Sequence, residues 1–145
     1  MKKALSLILI MVLMLSLVAC GESEAKKKER ISEFLEEERY LLSTTFNVGN
    51  QSSVVMYKED TNTVLYQFWM NGFADALMIN KNSPSYKSTW DNMKNSMVSL
   101  CKERMEVMAE KKIDANIMME FLNDKNPEKT LLTIENGKIT YSYLK

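Results

Sequence analysis

Residues 131–144 read LLTIENGKITYSYL, two runs of alternating side chains meeting at Asn136-Gly137. The favoured two-residue hairpin turn needs positive φ at both central positions, and Asn-Gly is the pair that best tolerates it. The segment therefore predicts two antiparallel strands, Leu131–Glu135 and Lys138–Leu144. Working outward, Ala115–Leu122 alternates as a further strand, and NDKNPE (residues 123–128) is a turn. Before it, Trp90, Met93, Met97, Leu100, Cys101, Met105 and Met108 recur at helical spacing. Ser83 and Pro84 suit the cap and first position of that helix, and Lys111 and Lys112 suit its C-terminal dipole. FADALMIN (residues 73–80) reads as a short helix after Gly72. Ser53–Glu59 and Val64–Asn71 form a hairpin around DTN (60–62). Ile31, Phe34, Leu35, Leu41 and Leu42 mark a first helix over roughly Glu24–Ser43, with Glu33, Glu36, Glu37 and Arg39 opposite. The order α-β-β-α-α-β-β-β predicts an α+β fold: an antiparallel sheet of about five strands with helices packed on one face.

Upstream, Lys2 and Lys3 precede a run from Ala4 to Val18 that carries no charge and only two serines. That is the pattern of a secretory signal, and it is short for a spanning helix, which needs about 20 apolar residues. Leu17-Val18-Ala19-Cys20 resembles the lipobox of small bacterial lipoproteins, and residues 1–19 resemble their signal peptide. The resemblance implies that the Cys20 thiol receives a diacylglycerol and that cleavage makes Cys20 the mature N-terminus. It implies a membrane partner through that lipid and an extracytoplasmic place of work. The alternative is an uncleaved anchor with an incidental cysteine. Residues 20–28 then form a lipidated tether, and residues 29–145 a single domain. The KKKER of residues 26–30 adds about 1 kcal/mol per basic residue close to an anionic surface, but Glu22, Glu24 and Glu29 dilute it.

Composition excludes several functions. With Lys2 and Lys3 set aside, the nineteen basic residues fall to seventeen against nineteen acidic ones. Nucleic-acid binding demands a concentrated basic surface, so none is expected. The chain has no histidine, which removes the commonest general base and metal ligand. With Cys20 acylated, only Cys101 remains, and no intramolecular disulfide can form.

Nine of the twelve methionines follow Cys20, and several share a helix with Cys101. Sulfur ligands of that kind suit Cu(I), but the same stripe is what a core-facing helix presents, and core packing is the better reading. Asp124, Asn126, Glu128 and Glu135 fall at positions one, three, five and twelve of a calcium-loop template. Lys129 stands where the template needs glycine, so a hairpin loop is expected and no metal site. Asp75 is the one acidic residue set among apolar neighbours, and an exposed helix position accounts for it. No nucleophile elbow, phosphate loop or dinucleotide fingerprint occurs, and no cofactor is expected.

These readings favour a non-enzymatic domain that binds a protein, peptide or envelope polymer. The alternative is a small envelope enzyme using carboxylates for acid–base chemistry. Strand alternation assigns Tyr66, Phe68, Ile117, Met119, Phe121, Leu132, Ile134, Ile139 and Tyr141 to the helix-covered face. Leu65, Gln67, Trp69, Asn116, Met118, Glu120, Thr133, Thr140 and Ser142 fall on the other. Trp69, Gln67, Met118 and Thr133 are the candidate binding residues there, because a flat indole is enriched at binding hot spots.

Overall fold

The computed structural model describes residues 23–144. The signal segment and Cys20 lie outside the described residues. Helix α1 spans Glu24–Thr45, its N-terminus capped by the Ser23 hydroxyl, which accepts the Lys26 N–H at 3.4 Å. Its start coincides with the helix expected from roughly Glu24. Ile31, Phe34, Leu35, Glu38 and Leu42 are its buried side chains. At its end the hydroxyls of Ser43, Thr44 and Thr45 fold back onto the Tyr40 and Leu41 carbonyls as additional donors one turn back.

Strands β1 (Gln51–Lys58) and β2 (Thr63–Met70) form the first hairpin. Helix α2 (Phe73–Asn80) follows Gly72, whose φ of +81° is left-handed. Helix α3 (Pro84–Glu110) begins with its proline in the first turn, where the missing N–H has no intrahelical partner to lose. The Ser83 hydroxyl does not cap it but lies 3.0 Å from the Ser85 hydroxyl. Strands β3 (Asn116–Asn123), β4 (Asn126–Glu135) and β5 (Lys138–Ser142) complete the chain. Asn136 and Gly137 carry φ of 47° and 76°, as the Asn-Gly pair requires.

The five strands pair in sequence order, β1-β2-β3-β4-β5. The fold is α+β with the expected element order, and the helices pack on one face. One pairing differs from the antiparallel expectation: β2 and β3 run parallel, so the sheet is mixed. The cause is the connection. Short turns force the three hairpins to be antiparallel, whereas the chain between β2 and β3 crosses the sheet through α2 and α3 and re-enters from the same end.

A second difference lies in β5. The β4–β5 register slips between Thr133 and Ile134, so that Thr133 faces Tyr141 and Ile134 faces Ile139, with Thr140 as the extra residue. One extra residue reverses every side chain beyond it. Tyr141, assigned to the helix-covered face, therefore stands on the open face and is 47% exposed. Ser142, assigned to the open face, instead accepts a hydrogen bond from the buried Trp90 Nε1 at 3.2 Å. Ile139 keeps its register position but is largely exposed on the short edge strand.

Gly137 tests the hairpin. Its φ is left-handed, and a Cβ there would lie 3.1 Å from Lys102 Cγ on α3. Gly137→Ala should destabilise the domain by about 1–2 kcal/mol, read as a lower urea midpoint. An unchanged midpoint would contradict the turn geometry.

Candidate functional site

Three features of the sheet matter for function: a buried polar knot, an apolar crevice on the helix face, and the open face opposite.

The knot centres on Glu38, which lies on the apolar stripe of α1 and is only 4% exposed. Its Oε2 accepts the Tyr66 hydroxyl from β2 at 2.8 Å, and its Oε1 accepts Arg104 Nη1 from α3 at 3.1 Å. Arg104 also pairs with Glu103. Burial, and then the Glu38 carboxylate, push the Tyr66 phenol far above its ordinary value. Burial alone would lower the Arg104 guanidinium, but the charges and hydrogen bonds of Glu38 and Glu103 together outweigh it and hold it above its usual range. Nearby, Lys111 Nζ bridges to Glu37 at 2.7 Å, a more exposed tie between the same two helices.

Two helical turns above the knot, Phe46 just past α1, the adjoining ends of β1 and β2, Phe121 of β3 and the α3 side chains enclose a crevice of about 230 Å³. Phe68 and Phe121 form its floor, and Phe46 at the end of α1 lies with its ring centroid 5.3 Å from that of Phe68. Met93, Met97 and Leu100 of α3 form the far wall, and Gln51, Ser52 and Ser96 supply polar groups at its boundary. The methionine stripe is thus divided. Met97, Cys101 and Met108 are buried, while Met93 and Met105 are half-buried. Cys101 is fully buried and accepts the Gly137 N–H at 3.3 Å. Burial raises its thiol, and the N–H offsets only part of that rise, so the sulfur packs as a small hydrophobe.

On the open face, in-register pairing builds rows across the sheet. Met56, Leu65 and Met118 form one row, and the two methionines cover Leu65, which is 1% exposed. Val54, Gln67, Glu120 and Thr133 form the next, and Gln67 Nε2 donates to Glu120 Oε2 at 2.8 Å. Gln67 and Trp69 line one hollow of about 200 Å³ together with Leu122 and Pro127. Thr133 lines a second of about 490 Å³ with Tyr141, Tyr143 and Met78. Met118 borders neither. The structure therefore brings Gln67 and Trp69 together and sets Thr133 and Met118 apart. Trp69 is half-buried and also borders the crevice.

The acidic residues singled out above have structural partners. Both Asp124 oxygens accept N–H groups at the start of α2, from Gly72 at 2.7 Å and Ala74 at 3.2 Å. Burial works against this carboxylate's charge, but those two N–H groups win and hold it below its usual range. Asn126, Glu128 and Glu135 are strung along β4, so the calcium template is a hairpin, with Asn123 Oδ1 accepting the Lys125 N–H at 2.9 Å. Asp75 pairs with Lys125. Among the described residues, no group of three or more acidic, Cys or His side chains gathers to hold a metal.

Sequence reasoning missed the knot and the crevice. The signal for the knot was present: Glu38 falls at the helical spacing of Ile31, Phe34, Leu35 and Leu42. The crevice left none, because Met93 and Met97 belong to one stripe whether the helix above them closes or splays. No family model, no curated protein and no solved structure matches this chain.

The knot predicts an alkaline limit. The ordinary tyrosine value is 10.0. Above that pH the unfolded chain releases the Tyr66 proton and the folded chain keeps it, so stability complete below pH 10 falls as pH rises further. Urea unfolding near pH 9 and pH 11 should show a larger loss for the native chain than for Tyr66→Phe. Equal losses would contradict the assignment.

Proposed function

We propose that this chain is a lipid-anchored extracytoplasmic domain, not an enzyme, that docks a protein, peptide or envelope-polymer partner on the open face of its sheet. The observation that carries the reading is the open face itself. It presents Trp69 and Val54 around one hollow and Tyr141, with Met78 of α2, around the other, and Met56 is exposed beside them. Aromatic groups of this kind supply contact area at low entropy cost, and thioethers adapt to irregular surfaces. Gln67 and Thr133 add hydrogen-bonding groups beside them, which fix orientation more than affinity.

The anchor is Cys20, through a lipid on its thiol. Ser23 caps α1 three residues further on, so an anchor at Cys20 would join the domain close to the start of that helix. Lys26 and Lys27 lie in its first turns with exposed or half-exposed side chains, and Lys28 pairs with Glu59 on the β1–β2 turn. Among the described residues no helix is long and apolar enough to cross a membrane. The carboxylate-enzyme alternative finds less support, because Glu38, Asp75 and Asp124 are each engaged by a structural partner.

Two measurements test the reading. Mass spectrometry of the mature N-terminus should find an acylated Cys20, and Cys20→Ala should leave an unprocessed precursor. An unmodified terminus elsewhere would remove the anchor. A photocrosslinking residue at Gln67 or Thr133 in intact cells should give a discrete adduct that Trp69→Ala abolishes without moving the unfolding midpoint. The same probe at Tyr40, 73% exposed on α1, should give none. An adduct indifferent to Trp69, or equal at Tyr40, would sink the open-face assignment.

A further inference from the structure

The crevice between Phe46 and α3 shares Trp69 and Ser52 with the open face, and its chemistry defines an occupant of its own. None of its lining residues is charged. Its floor and walls are phenylalanine rings, the Trp69 indole, methionine thioethers and Leu100, and the other polar side chains at its rim are one amide and two hydroxyls. A charged head group seated there would lose water with no counter-charge in reach, whereas a hydroxyl, amide or ester would find Gln51 or Ser96. Size narrows the choice further. An apolar cavity of about 150 Å³ takes one benzene ring, so about 230 Å³ accommodates a tail of roughly nine carbons. That is shorter than a bilayer lipid tail.

A lipid on Cys20 would approach from the opposite end of α1. The segment before Ser23 joins α1 at its first turn, whereas Phe46 lies at the far end of a helix of 22 residues, about 33 Å away. We infer that the crevice binds the tail of a soluble, uncharged short-chain amphiphile, with the neutral head held at Gln51, Ser52 and Ser96. Met93 and Met97 let the wall adapt to the tail, since an unbranched thioether repacks easily.

The test uses the full chain in lipid nanodiscs with methionine methyl groups labelled with carbon-13, titrated with 1-octanol, octanoate or octylammonium. Octanol should shift the Met70, Met93 and Met97 methyls saturably and leave Met56 and Met118 on the open face unmoved. The two charged analogues should bind at least fivefold more weakly. Met93→Trp should fill the crevice and abolish the saturable shifts at Met70 and Met97. Ser96→Glu, at an exposed helix position, should turn the preference toward octylammonium. Equal shifts at Met56 and Met118, or no saturation, would overturn the site. Octanoate binding as tightly as octanol would overturn the neutral-head assignment.

Discussion

Glu38 is the residue the rest of the structure has to accommodate. A carboxylate withdrawn from water costs several kcal/mol unless it is paired and hydrogen-bonded. Helix α1 carries it inward on the same stripe as Phe34 and Leu42, so the fold is favourable only where a donor and a cation meet it. Tyr66 comes from the second strand and Arg104 from the third helix, far apart in sequence. One side chain thereby registers α1 against the sheet and α3 against α1. A wholly apolar contact would tolerate sliding by a residue or a turn. This one does not.

The placement of the knot also explains where the helices separate. Phe46 follows Glu38 by eight residues, and Met97 precedes Arg104 by seven, about 11 Å along each helix. At the knot the helices are tied, with Lys111 and Glu37 adding a second link. Two turns beyond it, no hydrogen bond or ion pair among the described residues joins the two helices, and Phe68 and Phe121 line the crevice there. Tyr66 and Phe68 stack with their ring planes 7° apart, so the floor of the crevice is continuous with the knot. The helix face thus holds a cleft, while the opposite face holds the broad surface on which partner docking is proposed.

The legible parts of this fold were those written in local sequence. Asn136-Gly137 announces its turn because both residues must take positive φ, and Pro84 announces a helix start because its ring forbids a position further in. The stripes of α1 and α3 follow from a period of 3.6 residues. The direction of β3 relative to β2 was not legible, since it depends on how a long connection crosses the sheet. Thr140 in its bulge was hidden for a related reason: alternation assumes an unbroken ladder, and one extra residue exchanged Tyr141 with Ser142. Among the candidate binding residues, the pattern placed Gln67, Trp69, Met118 and Thr133 on one face. Their spread over two hollows depends on the β3–β4 turn and on α2, which no single strand records.

The most direct measurement of this account is a double-mutant cycle on Glu38 and Arg104, by urea unfolding of Glu38→Gln, Arg104→Met and the pair. Glu38→Gln leaves Arg104 with only the more exposed Glu103, and Arg104→Met leaves the Glu38 charge with only the Tyr66 hydroxyl, so each should cost about 3 kcal/mol or more. The pair removes both charges together and should cost little more than the worse single change, which corresponds to a coupling of about 2 kcal/mol. Additive losses would contradict the knot as the constraint that sets α1, the sheet and α3 in register.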